Sequence, residues 1–146
     1  MAKINWFPGH MAKALRDMEE EVKKIDMVIY VLDARAPKST LNPEFIKIIK
    51  DKPILYVLNK SDMVLSEQLA IFKKNLKKDN TFVLDLDSTK TGAIKKIEPI
   101  MTMLCENKIE KNKQKGFNTK LRTMVLGVPN SGKSTLINNL CGKKRQ

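Results

Sequence analysis

The stretch that decides the fold is Gly127-Val128-Pro129-Asn130-Ser131-Gly132-Lys133-Ser134, which fits the pattern G-x-x-x-x-G-K-[ST]. Glycines in this pattern permit a tight turn whose backbone N–H groups point at phosphate oxygens, and the helix that follows directs the positive end of its dipole to the same place. Lys133 would reach the β and γ phosphates, and Ser134 would coordinate Mg²⁺. The pattern predicts a nucleotide-binding loop.

The residues on either side of this loop favour the same interpretation. Residues 121–126 form a short apolar run that is typical of a strand, and residues 134–140 have the spacing of a helix. A phosphate-binding loop requires a strand before it and a helix after it, whereas an isolated glycine turn requires neither. The alternative, a glycine turn between a strand and a helix, is therefore disfavoured.

A second motif indicates which base is bound. The apolar run at residues 54–58 is followed by Asn59-Lys60-Ser61-Asp62, an N-K-x-D sequence. In GTP-binding domains the Asp carboxylate of this sequence accepts hydrogen bonds from the ring N–H and the exocyclic amine of guanine, a pair of contacts that adenine cannot make. Taken alone, the motif could equally be a turn or a helix N-cap. Combined with the phosphate loop, it predicts a guanine site.

A third motif is Ser88-Thr89-Lys90, which follows an apolar strand at residues 81–86. It resembles the S-A-K element that supports guanine from the other side through backbone amides. An ordinary loop between a strand and a helix, with a Ser/Thr cap, is the alternative.

The whole chain alternates between strand and helix patterns. We predict strands at residues 27–33, 54–58, 81–86 and 121–126, and helices at residues 11–24, 43–50, 66–77 and 92–106. The first helix has an apolar stripe formed by Leu15, Met18, Val22 and Ile25. This alternation is typical of an α/β fold with a parallel sheet covered by helices on both faces. We predict one domain over residues 1–146, with residues 1–25 as an N-terminal extension.

The order of the motifs suggests a family. N-K-x-D comes first, S-x-K second and the phosphate loop third, whereas Ras-like domains begin with the phosphate loop. With the opening segment at residues 6–14, Trp-Phe-Pro-Gly-His-Met-Ala-Lys-Ala, and with Asp33-Ala34-Arg35 after the first strand, the chain resembles the circularly permuted GTPases, in particular the ribosome biogenesis GTPase A family. The resemblance implies GTP or GDP and magnesium as cofactors, and cytoplasmic GTP hydrolysis during late maturation of the large ribosomal subunit. The implied partners are the precursor of that subunit and its rRNA.

The resemblance also implies a set of site residues. Those expected to bind the nucleotide are Asn59, Lys60, Asp62, Ser88, Thr89, Lys90, Asn130, Ser131, Gly132, Lys133, Ser134 and Thr135. Asn130 occupies the position where potassium-activated GTPases hold K⁺ against the phosphates, although an Asn can also be tolerated in a tight loop. His10 is a candidate catalytic residue that would orient the attacking water, and it could equally cap a helix beginning at Met11.

The charge of the chain favours polyanionic partners. It has 28 Lys and Arg residues against 16 Asp and Glu residues, a formal net charge of +12, which favours RNA through long-range attraction and counterion release. A lysine-biased composition is the alternative explanation. Residues 107–119 are rich in lysine, and we predict that they form a solvated linker joining the ancestral termini, with a nucleic-acid contact as the second interpretation.

Other features exclude several classes of protein. Two isolated cysteines and one histidine cannot form a zinc site, and no apolar run or signal segment directs the chain to a membrane. The switch Thr and the D-x-x-G sequence of a GTPase would have to follow Ser134, and neither is found there. We therefore expect the chain to be the N-terminal part of a longer protein, without the switch regions and the C-terminal RNA-contacting domain. The rival to an active GTPase is a guanine-nucleotide-binding module or inactive fragment that binds RNA without turnover.

Overall fold

A computed structural model of the chain describes residues 8–35, 41–59, 65–86 and 93–127, with the side chains of residues 8–11, 86, 93 and 94 left out. The elements follow one another as α1 (Pro8–Val22), β1 (Met27–Asp33), α2 (Pro43–Ile49), β2 (Ile54–Asn59), α3 (Ser66–Leu76), β3 (Thr81–Leu86), α4 (Ala93–Leu104), α5 (Glu106–Gln114) and β4 (Thr123–Gly127). The predicted alternation of strands and helices is confirmed.

The four strands form one parallel sheet in the order β3-β2-β1-β4. Every residue of β1 and β2 is buried, because these two strands lie in the middle of the sheet and have helices on both faces. Strands in such a position are built from continuous apolar runs rather than from alternating patterns. The runs Met-Val-Ile-Tyr-Val-Leu and Ile-Leu-Tyr-Val-Leu are of this kind.

The two faces of the sheet form two separate hydrophobic cores. Val28, Tyr30 and Leu32 of β1 point to the face covered by α1, α2 and α3. Met27, Ile29 and Val31 alternate with them and point to the face covered by α4 and α5. The predicted α/β sheet covered on both faces is therefore confirmed. Among the helices in these ranges, none is both long and apolar enough to span a membrane.

The structure corrects three predicted boundaries. Helix α1 begins at Pro8 instead of Met11, as favoured by the fixed φ angle of a proline in the first helical turn. Strand β4 comprises Thr123–Gly127 instead of residues 121–126. Helix α4 ends at Leu104, and a further helix, α5, begins at Glu106.

Helix α5 occupies most of the segment that was predicted to be a linker, residues 107–119. Lys, Glu and Gln are good helix formers, and Ile109 packs against the core on this side of the sheet. Gly116 follows the helix with a φ of 81°, and its N–H donates to the carbonyl of Lys113 at 3.0 Å, which is the usual way a glycine ends a helix. The segment is therefore helical over much of its length, a helix that the sequence patterns did not predict, and its role as a linker joining the ancestral termini stays a prediction.

Asp26 joins three elements at the edge of the sheet where the strands begin. Its carboxylate accepts hydrogen bonds from the backbone N–H of Arg122, at 2.7 Å, and from the ammonium of Lys108, and its own N–H donates to the carbonyl of Arg122 at 2.7 Å. The side chain of Asp26 is only 5% exposed. These contacts fix the start of β4 and the first turn of α5 against the start of β1.

Tyr30 and Tyr56 lie side by side in β1 and β2, with ring centroids 6.1 Å apart. The hydroxyl of Tyr30 accepts a hydrogen bond from the N–H of Asn42 at 2.9 Å. Burial raises the pKa of Tyr30, and it raises the pKa of Tyr56 from 10.0 to about 12. The folded protein therefore holds these phenol protons at a pH at which the unfolded chain loses them.

We expect this difference to destabilise the protein at alkaline pH. Between pH 10 and about 12 the folded state binds more protons than the unfolded state, so stability is fully present below pH 10 and falls as pH rises toward 12. Urea unfolding over this pH range should show a shallower loss for Tyr56→Phe than for the parent chain. Equal slopes for the two chains would contradict the assignment of the alkaline loss to Tyr56.

Candidate nucleotide-binding site

The ends of the four strands lie along one edge of the sheet, where the last residues are Asp33, Asn59, Leu86 and Gly127. Asp33 is the register partner of Asn59, and Asn59 is the partner of Leu86. Gly127 is level with Val31, two residues before the end of β1. The N-K-x-D, S-x-K and phosphate-loop sequences therefore all leave the sheet from its carboxyl edge.

The order of the strands separates the base-binding motifs from the phosphate loop. N-K-x-D follows β2 and S-x-K follows β3, and these strands are neighbours, whereas the phosphate loop follows β4 on the far side of β1. Since neighbouring strands lie about 4.8 Å apart, the ends of β2 and β4 are separated by about 10 Å in the plane of the sheet. Open α/β sheets bind ligands in the crevice outside this edge.

Two of the predicted loop residues belong to described strands. Asn59 is the last residue of β2 and is 2% exposed, and its carbonyl accepts a hydrogen bond from the N–H of Ala34 at 2.8 Å. This bond continues the pairing of β1 and β2 beyond the end of β1, which fixes the backbone from which the N-K-x-D loop leaves. Gly127 is the last residue of β4 and the first of the phosphate loop.

The remaining loop residues of the predicted nucleotide site lie outside the described residues. They are Lys60, Asp62, Ser88, Thr89, Lys90, Asn130, Ser131, Gly132, Lys133, Ser134 and Thr135. Their contacts with a nucleotide, with magnesium at Ser134 or with potassium at Asn130 stay predictions. The structure supports these predictions only by placing the strand ends that precede the loops at one edge of the sheet.

His10 lies in the first turn of α1, which begins at Pro8. An N-cap residue stands immediately before the first helical residue. The alternative that His10 caps a helix beginning at Met11 is therefore wrong. The side chain of His10 is outside the described residues, so its role in orienting water stays a prediction.

An ion pair lies at the carboxyl edge between the two halves of the candidate site. The guanidinium of Arg35 donates to both carboxylate oxygens of Asp33, from Nε to Oδ1 at 3.0 Å and from Nη2 to Oδ2 at 2.8 Å. The backbone N–H of Arg35 also donates to Oδ1 at 2.9 Å. Hydrogen bonding to Asp33 raises the pKa of Arg35. Two-pronged pairs of this kind fix geometry as well as charge.

The sequence motif Asp33-Ala34-Arg35 contributed to the family resemblance, but we did not predict this pair from it. The signal that could have indicated it is an acid at the end of a buried strand with an arginine two residues later. The side chain of Asp33 is 11% exposed and that of Arg35 is 47% exposed, so the carboxylate is nearly buried whereas the guanidinium is half-exposed.

A second ion pair ties α3 to β3, the strand that leads to the S-x-K sequence. The ammonium of Lys73 donates to Oδ1 of Asp85 at 2.6 Å, and this hydrogen bond holds the pKa of Asp85 below its usual value. Asp85 is the register partner of Leu58. The pair therefore helps to fix the edge strand beside the N-K-x-D strand.

Comparison with known proteins agrees with this arrangement. The sequence pattern of a family described as "50S ribosome-binding GTPase" matches residues 122–146, the part of the chain that contains the phosphate loop. The match begins one residue before β4.

Curated relatives match almost the whole chain. Ribosome biogenesis GTPase A of Bacillus licheniformis is 41% identical over 141 residues, which is 96% of this chain and 50% of that protein. Mitochondrial ribosome-associated GTPase 1 of Mus musculus is 42% identical over 138 residues, which is 92% of this chain and 41% of that protein. The chain thus spans about half the length of the curated relatives it matches, or somewhat less.

A solved structure shares the fold. The crystal structure of GNP-bound YlqF from T. maritima matches 90% of this chain and 48% of its own chain, with a TM-score of 0.57 and 26% sequence identity.

Proposed function

Because the chain is homologous to ribosome biogenesis GTPase A, a circularly permuted GTPase, over about half of that protein's length, we propose that it binds and hydrolyses GTP as an assembly factor in late maturation of the large ribosomal subunit. The observation that supports this most directly is that the three motif sequences all leave the sheet at its carboxyl edge. An arrangement of this kind brings base recognition and phosphate binding to one crevice.

Base recognition is proposed for the loops after β2 and β3. Asp62 accepts the two hydrogen bonds from guanine, and Asn59 and Lys60 complete the loop that holds its carboxylate. Ser88, Thr89 and Lys90 support the base from the side of β3. Burial of Asn59 and its backbone bond to Ala34 support this proposal, because they give the N-K-x-D loop a rigid starting point.

Phosphate binding is proposed for the loop after β4. Its backbone N–H groups would donate to the phosphates, residues 131–135 would complete the loop, and Lys133 would neutralise charge on the β and γ phosphates. Ser134 would hold Mg²⁺, which would neutralise charge on the phosphates. Asn130 would hold K⁺ beside them. His10, near the start of α1, would orient the attacking water.

The proposed macromolecular partner is the precursor of the large ribosomal subunit, through its rRNA. The family description "50S ribosome-binding GTPase" and the net charge of +12 support this. The cytoplasmic location predicted from the sequence stays a proposal, since similar proteins include mitochondrial ribosome-associated GTPase 1 as well as bacterial proteins.

A second candidate function is guanine-nucleotide binding without turnover. It differs from the proposed function in that hydrolysis also needs a γ-phosphate sensor and complete Mg²⁺ coordination. The predicted site residues include those that bind base and phosphate but none that would sense the γ-phosphate.

One experiment in two parts tests the proposal. In the first part, GTP and GDP should displace a fluorescent GDP analogue from the chain whereas ATP should not, and displacement by ATP would contradict the guanine assignment. In the second part, phosphate release is followed with K⁺, Mg²⁺ and ribosomal particles. GTP turnover that is lost in Lys133→Ala would support the proposed GTPase activity. Binding of guanine nucleotide without such turnover would support the second candidate function.

A further inference from the structure

The edge of the sheet opposite the candidate nucleotide site is strongly basic. Four segments lead into the starts of the strands at this edge: residues 23–26, 50–53, 77–80 and 105–122, which together we name the amino-edge surface. They contain twelve Lys and Arg residues against five Asp and Glu residues, a formal charge of +7 out of the net +12 of the chain. The residues that the structure describes hold 20 Lys and Arg against 14 Asp and Glu, so their positive excess lies in these four segments.

The amino-edge surface is also concave. A cleft of about 420 Å³ lies among the ends of α1 and α4 and the starts of β1, β2 and α5. Four lysines line it, Lys23, Lys24, Lys52 and Lys108, and its carboxylate is that of Asp26. A concave surface lined by charges of one sign concentrates oppositely charged ligands.

The internal contacts of these side chains leave positive charge available to a ligand. Lys108 is paired with Asp26, whose carboxylate is nearly buried. The ammonium groups of Lys23 and Lys24 pair with the carboxylates of Glu20 and Glu21, and every side chain in these pairs is more than 60% exposed. Exposed pairs of this kind are weak, so another anion can replace the carboxylate. The ammonium of Lys52 donates to the carbonyl of Ile25 at 2.9 Å, a contact that leaves its charge in place.

An exposed aromatic residue follows the end of α5, two positions after Lys115. Phe117 is 65% exposed, although its backbone is fixed. Its N–H donates to the carbonyl of Asn112 at 2.8 Å, and the amide of Asn112 donates to the hydroxyl of Thr119 at 3.0 Å. These bonds around the turn at Gly116 fix the backbone of Phe117 while its ring remains largely exposed.

We propose that the amino-edge surface binds single-stranded RNA, with its lysines contacting the phosphate backbone and Phe117 stacking on one base. Binding grooves for single strands combine basic residues that follow the backbone with exposed aromatic rings on which bases stack. An exposed ring on a fixed backbone can stack on the free face of an unpaired base. A base inside a duplex offers no such free face. The inference rests on the proposed function for the choice of RNA, and it places that contact on the side of the sheet away from the nucleotide site.

The charge component is tested with two matched triple variants. Lys23, Lys24 and Lys115 on the amino-edge surface are replaced by Gln, and in the control Lys13, Lys95 and Lys96, which are exposed in the first halves of α1 and α4, are replaced by Gln. Anisotropy of a labelled, unstructured 20-nucleotide RNA is measured across a KCl series. Both variants lose three charges, so any difference between them reports position.

For the amino-edge variant we expect the slope of log K against log salt to fall by about 2, with at least roughly tenfold weaker binding at 0.1 M KCl. The control should stay close to the parent chain. Equal losses in the two variants would overturn the proposal, because they would show that RNA responds to net charge rather than to this surface.

The stacking component is tested at Phe117, which is 65% exposed, so that its replacement should leave the fold intact. Phe117→Leu should weaken RNA binding about tenfold, and Phe117→Tyr should retain it, because stacking needs an aromatic ring rather than apolar surface. Parent-like binding by Phe117→Leu would overturn this part.

Guanine binding separates this inference from the proposed function. Displacement of fluorescent GDP should be the same in the amino-edge and Phe117 variants as in the parent chain, since the nucleotide site is at the opposite edge. If the parent chain binds guanine nucleotide and ribosomal particles but the amino-edge variant binds RNA as the parent does, only this inference fails. If the parent chain does not bind guanine nucleotide, the proposed function fails.

Discussion

Replacing Asp62 with Asn is expected to weaken GDP binding by about 10³- to 10⁴-fold and to strengthen binding of xanthine nucleotides. The carboxylate accepts from two N–H groups of guanine, whereas an amide presents one donor and one acceptor, so a donor of the amide faces a donor of guanine. Xanthine carries a carbonyl oxygen where guanine has its amine, and this oxygen can accept from the amide.

Competition against fluorescent GDP and fluorescent XDP measures the change in relative affinity for guanine and xanthine nucleotides. Asp79→Asn is the matched control, because it removes the same charge at an exposed position at the opposite edge of the sheet. Unchanged GDP affinity in Asp62→Asn would show that the N-K-x-D sequence is a turn and not a base-binding loop.

Replacing Leu55 with Ala should cost about 2–5 kcal/mol of the free energy of unfolding, a large part of the total for a domain of this size. Leu55 is 0% exposed in β2, between β1 and β3, and belongs to the core beneath α4 and α5. The substitution removes buried methyl groups and leaves a cavity, because neighbouring strands held by ladder hydrogen bonds cannot close the space.

Leu65→Ala makes the same chemical change at a side chain that is 69% exposed, and it should alter stability by less than about 0.5 kcal/mol. Urea unfolding followed by circular dichroism measures both variants. Similar losses of unfolding free energy in Leu55→Ala and Leu65→Ala would contradict the central position of β2. A much larger loss in Leu55→Ala would agree with the order of the strands.

The strands could be predicted from the sequence because their signals are local. The apolar runs of β1 and β2 are continuous, and parallel strands covered on both faces require such runs. The boundaries of β1 and β3 agree with the prediction at both ends. The apolar stripe of α1 was also predicted, and Met18 and Val22 are buried in the core beneath it.

Features that depend on distant contacts or on weak local signals were missed. Helix α5 has little apolar surface, so the hydrophobic pattern of its sequence did not indicate a helix, although Gly116 marks its end. The bond between Asp26 and Arg122 joins residues 96 positions apart, and no spacing rule predicts it. The Asp33–Arg35 pair is local, but its two-pronged geometry depends on how the chain turns after β1.

The candidate site was predicted from motif order and strand placement, and the structure supports the placement. Asn59 and Gly127 lie at strand ends on one edge, as expected. The spacing of about 10 Å between the two halves of the site could not be obtained from the sequence, since it depends on β1 lying between β2 and β4.

The pairing of β1 with β4 has a consequence for the timing of synthesis. The register joins Met27 to Thr123, so the two strands are separated by most of the chain. At about 5–20 residues per second, a ribosome completes β4 roughly 5–20 seconds after β1. During this interval β1 and β2 can already pair, but one side of β1 has no partner, and the loop that would hold phosphate has not been made. The newly made chain therefore passes through a period in which the exposed side of β1 needs protection, by a chaperone or by the ribosome surface, and in which nucleotide cannot assist its folding.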